Sequence, residues 1–245
     1  SAKLLIGSNV HVFSNGAAYY GGGIRIAGLE MTMSGTGSYI TQNVADTGDG
    51  GGLAITGHAS QPGKATVSSP GNAISNNTAN RGGGVAVMAN NNDDEGATLV
   101  LRSTLIGNYA HYRGGGIFAR EEALSIPSRW VDAKVVADSN AHIDSNAAPN
   151  GAAVYLDYAE DAVFGDNYGA SFTMTTGTIN SNLSMDDGSN FTDGAILFES
   201  DGSYTSALDL TRVTMQGNHG GPLIRNDDYV VLKNVLMAAN TTSSR

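Results

Sequence analysis

The chain alternates short apolar runs with polar, glycine-rich segments, and one pattern recurs along nearly its whole length. An aliphatic residue is followed by two small or polar residues, an asparagine, a polar turn, a cluster of small residues and a second aliphatic residue, as from Ile74 to Val85. The asparagines of these copies, of which the last copy is degraded, are Asn15, Asn43, Asn77, Asn108, Asn146, Asn182 and Asn218. Their irregular spacing indicates a fixed scaffold with loops of variable length.

A short alternating run lies between the glycine cluster of one copy and the asparagine of the next. Examples are Leu29 to Met33 and Ala97 to Leu101, in which apolar and polar residues alternate with a period of two. This alternation is typical of strands, and helical periodicity is almost absent. Each repeat therefore predicts three short strands, which are too small to bury their own apolar faces.

Such repeats can bury their apolar faces by coiling into an all-β, right-handed parallel β-helix. We therefore expect a pectin-lyase-like solenoid with about seven to eight rungs of three short strands. We expect one domain over residues 1–245. Rungs stack roughly 4.8 Å apart, so equivalent residues form columns. The predicted inward column after the glycines is Ile24, Leu53, Val85, Ile117, Val154, Ile196 and Leu223.

The asparagines and glycines have structural roles in this fold. We expect each asparagine to occupy a tight corner in a left-handed conformation, with its amide bonded to the backbone or to the asparagine of the next rung. The glycines allow the chain to turn the following corner without a Cβ clash. The glycines assigned this role are Gly22, Gly51, Gly83 and Gly115.

Composition narrows the possible partners. The chain has 13 basic and 23 acidic residues and a formal charge of −10, which disfavours nucleic acid and anionic membranes as partners. It contains no cysteine, and no apolar run approaches the ~18 residues of a membrane span. Because it begins at Ser1, we expect a fragment of a longer secreted or surface protein, whose stack ends contact missing caps or neighbouring chains.

The paired motifs, aliphatic-x-x-Asn and Gly-Gly-Ala/Gly-aliphatic, resemble those of the chlamydial polymorphic membrane proteins and related bacterial β-helix repeat proteins. The resemblance covers nearly the whole chain, although Ile, Leu or Met mostly replaces Phe at the start of the first motif. It implies an autotransporter-type passenger domain, extracellular or on the bacterial surface, and often an adhesin. The motifs are specific for the fold and only weakly specific for function.

The loops that follow the glycine-cluster strands are longest in the middle of the chain and carry aromatic and acidic residues. One interpretation is a platform that binds a glycan or a surface protein, and the other is a solvated edge at which loops lengthen freely. The candidate ligand-binding residues are Phe118, Arg120, Trp130, Tyr155, Asp157, Tyr158, Glu199 and Tyr204.

One outward column could carry catalysis. Counting four residues past each small-residue cluster gives Ala27, Thr56, Met88, Arg120, Asp157, Glu199 and Asn226. In an enzyme, Glu199 would be the general acid, Asp157 the nucleophile and Arg120 the group that keeps Asp157 ionised, with the carboxylates about 5 Å apart as in retaining glycosidases. The same residues could instead bind a sugar or calcium, or form a surface ion pair.

Two function classes therefore remain open: a non-catalytic adhesive β-helix, and a polysaccharide-active enzyme. Because basic residues are few, a hydrolase of neutral glycans fits better than a lyase of uronates. No cofactor motif occurs. The carboxylates of Asp157, Glu160 and Asp161 could bind calcium, although they lack an EF-hand pattern.

Overall fold

The computed structural model describes residues 2–58, 61–89, 96–120, 132–157, 170–185, 194–198, 207–225 and 229–242. Within these ranges the regular structure consists entirely of β-strands. No helix long and apolar enough to cross a membrane occurs in them.

The strands are short and follow one another closely along the chain. In the first half they are β1 (Lys3–Ile6), β2 (His11–Phe13), β3 (Gly16–Ala17), β4 (Ile24–Ala27), β5 (Glu30–Met33), β6 (Tyr39–Thr41), β7 (Val44–Asp49), β8 (Leu53–Thr56), β9 (Gly63–Val67), β10 (Ala73–Ser75), β11 (Thr78–Arg81), β12 (Val85–Met88), β13 (Ala97–Leu101), β14 (Thr104–Ile106), β15 (Tyr109–Arg113) and β16 (Ile117–Arg120). In the second half they are β17 (Ala133–Asp144), β18 (Ala147–Ala148), β19 (Val154–Asp157), β20 (Ser171–Asn180), β21 (Leu183–Ser184), β22 (Ile196–Phe198), β23 (Ala207–Gln216), β24 (His219–Gly220), β25 (Ile224–Arg225), β26 (Tyr229–Lys233), β27 (Leu236–Ala238) and β28 (Thr241–Thr242).

Three parallel sheets run along the stack, and together they form the predicted right-handed parallel β-helix. Sheet A has 13 strands, sheet B has 8 and sheet C has 7, in the order β25-β22-β19-β16-β12-β8-β4. Sheet A contains two columns of strands, which the long strand β17 joins. An early turn therefore holds four strands, β5 to β8, where the sequence predicted three. The chain bends between β5 and β6, where Gly37 has a φ of 71°.

The core lies between the sheets, because alternate residues of every strand point inward. The register runs Ile24, Leu53, Val85, Ile117, Val154 and Ile196, as predicted. The last member is wrong: Ile224, rather than Leu223, pairs with Ile196. Leu223 instead takes the place of the third small residue, because its carbonyl accepts the hydrogen bond of the Ile196 amide.

The asparagines form one continuous ladder. Asn77 is typical: its backbone N–H and its Nδ2 both donate to Oδ1 of Asn108, at 3.1 and 3.0 Å, and Nδ2 also donates to the carbonyl of Ile40 at 3.0 Å. The prediction that the ladder asparagines have a left-handed backbone conformation is wrong. The left-handed residue is the one before it, such as Asn76 with a φ of 53° or Ser145 with a φ of 56°. That residue makes the turn, which leaves the ladder asparagine free to point inward.

The glycine column confirms the predicted close approach of backbones. A Cβ on Gly83 would overlap the carbonyl of Tyr109 in the next turn, and Gly22, Gly51 and Gly115 face equivalent carbonyls. These second glycines do not have positive φ values. The positive φ belongs to the glycine before them, as at Gly82 with a φ of 63°.

Candidate functional site

A column of polar residues lies at the corner between sheets B and C. Each member directly precedes a left-handed glycine, so the sharp turn places it at the edge of the corner. Its backbone register is continuous from turn to turn. The members of this corner column are Tyr20, Asp49, Arg81, Arg113 and Asn150.

The outward face of sheet C beside this column carries a second apolar cluster, separate from the main core. Phe118 and Tyr155 lie in register on β16 and β19, next to Ala86 and Ala54 on the preceding strands. Both rings are 0% exposed, and Met88 completes the cluster. The rings stack with centroids 5.9 Å apart and an interplanar angle of 27°.

Two arginines of the corner column cover these rings. The guanidinium of Arg81 lies 4.9 Å from the centroid of Phe118, and that of Arg113 lies 4.8 Å from the centroid of Tyr155. Each arginine therefore reaches forward by one turn. Partly buried contacts of this kind are worth about 0.5–2 kcal/mol, so they fix the position of both guanidinium groups.

Arg81 is held at its other side by Asp49. Nε and Nη2 donate to the two carboxylate oxygens, each at 2.7 Å, and the Asp49 side chain is only 1% exposed. Burial would lower the pKa of Arg81, but the hydrogen bonds and charge of Asp49, together with the charge of Asp157, raise it overall. Arg81 is therefore a permanently charged, rigid part of the corner.

Asp157 lies between two further arginines. Its Oδ2 is 3.3 Å from Nη1 of Arg113 and 3.9 Å from Nε of Arg120, and its side chain is 7% exposed. Nε of Arg120 is buried and has no hydrogen-bond partner among the described residues. The corner and the outward face of sheet C beside it thus bring together three guanidinium groups and two carboxylates from four consecutive turns, which we call the arginine corner.

The predicted outward column is confirmed from Ala27 through Thr56, Met88 and Arg120 to Asp157. Phe118 and Tyr155 were predicted as ligand-binding residues, but they offer no open surface, because the arginines cover both rings. Seven residues of the sequence-based site lie outside the described ranges: Trp130, Tyr158, Glu160, Asp161, Glu199, Tyr204 and Asn226. The predicted separation of the Asp157 and Glu199 carboxylates therefore also lies outside them.

Calcium binding at Asp157 conflicts with the surroundings of this residue. Two guanidinium groups lie within 4 Å of its carboxylate, and their charge repels a divalent cation. Within the ranges that the structure describes, no group of three or more potential metal ligands occurs.

Sequence reasoning missed Asp49, Arg81 and Arg113, which organise the site. A signal was present, because each of them directly precedes a glycine cluster and the clusters can be aligned. The alignment would have placed them in one column. It would not have shown that their side chains extend to the next turn.

Comparison of the chain with known proteins finds no match to a protein-family model, to a curated protein or to a solved structure. The structure itself shows the architecture, which is a parallel β-solenoid of the β-helix repeat type.

Proposed function

We propose that this chain is a non-catalytic binding domain, displayed outside the cell, that recognises a glycan through the arginine corner. The resemblance of its repeats to those of polymorphic membrane protein passengers supports an extracellular or surface location and an adhesive role. Within the described residues, neighbouring turns are joined by parallel pairing, which holds the side chains of successive turns in a fixed register. Among the described residues, the arginine corner brings charged side chains of consecutive turns together.

The observation that carries the proposal is the density of fixed charge at the corner. Arg81 lies one turn before Arg113 and Arg120, which share a turn, and all three side chains are about one-third exposed, whereas Asp49 and Asp157 are buried beneath them. The guanidinium groups of Arg81 and Arg113 are held by ion pairs and aromatic contacts, so little side-chain entropy is lost when a ligand binds. Preorganised donors of this kind suit the hydroxyl and carboxyl groups of sugars.

The test combines binding with turnover. A glycan array identifies ligands, and a reducing-sugar assay on the same glycans measures hydrolysis. Binding without release of reducing ends is the expected result. Release of reducing ends by the wild-type chain, and its loss in Asp157→Asn, would overturn the non-catalytic role.

A matched pair of variants locates the surface. Arg113→Gln is expected to weaken binding of an array ligand by about tenfold, the loss of one charge-assisted hydrogen bond. Arg102→Gln is the control, because Arg102 forms an ion pair with Asp138 at 2.6 Å on sheet A, away from the corner. Equal binding by Arg113→Gln and Arg102→Gln would show that the arginine corner is not the binding surface.

A further inference from the structure

The ion pairs of Asp157 are longer than the pair that Arg81 forms with Asp49. Arg81 holds Asp49 with two bonds of 2.7 Å, whereas Arg113 reaches Asp157 at 3.3 Å and Arg120 remains 3.9 Å away. A separation of 3.9 Å is too long for a hydrogen bond. It leaves the buried Nε of Arg120 without an acceptor among the described residues, which costs free energy.

We propose that the arginine corner is a carboxylate-exchange site, at which the carboxylate of an acidic sugar replaces Asp157 on Arg113. Asp157 then turns to Nε of Arg120, which gains its missing acceptor. Arg113 is accessible for this exchange, because its side chain is 37% exposed. Before the exchange Arg113 and Arg120 share the single carboxylate of Asp157, and after it each guanidinium has a carboxylate of its own. No covalent bond changes.

The acidic sugar is favoured over an acidic peptide by the topology of sheet C. Strands β16 and β19, which carry Arg120 and Asp157, are each paired on both sides. A peptide therefore finds no free strand edge at the site with which to pair its main chain. Recognition depends on side chains alone, which suits the hydroxyl and carboxyl groups of a sugar.

The charge of the whole chain limits the ligand further. A formal charge of −10 repels long polyanions. The expected ligand is thus a glycan that ends in a single carboxylate-bearing sugar, and not a uniformly acidic polymer. This inference rests on the proposed function, because it names the ligand class of the same surface.

The test uses sialyllactose and its neutral counterpart lactose in calorimetric titrations. The wild-type chain should bind sialyllactose at least tenfold more tightly than lactose, and Arg113→Gln should abolish the difference. Asp157→Asn should bind sialyllactose about tenfold more tightly than wild type, because the competing carboxylate is gone. Arg102→Gln should bind both sugars as the wild type does.

A measurement on the unmodified chain keeps the test independent of variant folding. Sialyllactose should move the NMR resonance of the Arg120 Nε–H, because this group acquires an acceptor, whereas lactose should not. An unmoved Arg120 resonance at saturation, or no gain in Asp157→Asn, would overturn the exchange.

The remaining outcomes separate the inference from the proposed function. Equal binding of lactose and sialyllactose would overturn the acidic ligand class while leaving a glycan-binding domain. Binding of an acidic peptide, such as a short polyglutamate, without binding of either sugar would overturn both.

Discussion

Replacing Asn108 by alanine tests the asparagine ladder directly. Asn108 lies in the middle of the ladder and is 1% exposed. Its Oδ1 accepts bonds from the backbone N–H and from Nδ2 of Asn77, and its own Nδ2 donates to the carbonyl of Ile74 and to Oδ1 of Asn146. Alanine removes all four bonds and leaves the backbone pairing of the turn in place.

The magnitude follows from the groups that are left without partners. The backbone N–H of Asn77 and one Nδ2 hydrogen of Asn77 lose their acceptor, whereas Oδ1 of Asn146 keeps the bond from the backbone N–H of residue 108. Each buried donor without an acceptor costs about 1–3 kcal/mol. Because the two donors are neighbours, we expect a total loss of about 2–4 kcal/mol in the free energy of unfolding.

Asn15→Ala is the matched control, because Asn15 is the same residue at an exposed position of the ladder. Its Nδ2 donates to Oδ1 of Asn43, which keeps the bond from the Asn15 backbone N–H. The expected loss is below about 0.5 kcal/mol. Urea denaturation of wild type and both variants measures the difference. If Asn108→Ala and Asn15→Ala lose the same stability, a buried asparagine of the ladder stabilises the fold no more than an exposed one, and the reasoning is wrong.

Three further predictions concern other columns of the stack. Gly83→Val should prevent folding to the native state, because its side chain meets a backbone carbonyl, whereas Gly16→Val, which has open space around it, should fold as judged by circular dichroism. Arg81→Met should cost about 3–5 kcal/mol in chemical denaturation, because it leaves the buried carboxylate of Asp49 without its arginine. Arg102→Met, which breaks a more exposed pair, should cost below about 1 kcal/mol; equal losses would contradict the role of burial. The hydrogen bond from Arg102 lowers the pKa of Asp138. The contribution of this pair to the free energy of unfolding is therefore present at neutral pH and is lost as the pH falls through the pKa of Asp138 in the folded state. The acid side of the stability–pH curve should therefore be shallower in Arg102→Gln. An unchanged curve would show that the pair of Arg102 and Asp138 does not contribute to stability.

The parallel β-helix and much of its register could be predicted from the sequence, because a repeat that returns each residue type to the same corner imposes its own alignment. Ile24, Leu53 and Val85 follow one another because glycine clusters precede them all. The prediction slipped by one residue at Leu223, where the cluster is degraded to Gly-Gly-Pro and two apolar residues follow it. Periodicity does not decide which of two adjacent apolar residues points inward.

The arginine corner could be predicted only in part. The outward column with Arg120 and Asp157 follows from backbone register alone. The covering of Phe118 by Arg81 does not, because a long side chain can reach several neighbours and its direction depends on the ion pair with Asp49. The exposure of the rings was therefore misjudged, although their position was right.

The asparagine ladder has a direction, and this gives the solenoid an electrical polarity. From Asn43 to Asn218, each ladder Nδ2 donates one hydrogen to Oδ1 of the asparagine in the following turn and the other to a backbone carbonyl of the preceding turn. The side-chain carbonyls, such as that of Asn108, therefore all point toward the preceding turn. Aligned amide dipoles add along an axis, as they do in an α-helix. Neighbouring bonds in such a chain also polarise one another. The β-helix thus contains a side-chain counterpart of the helix macrodipole, with its negative pole toward the first turns and its positive pole toward the last.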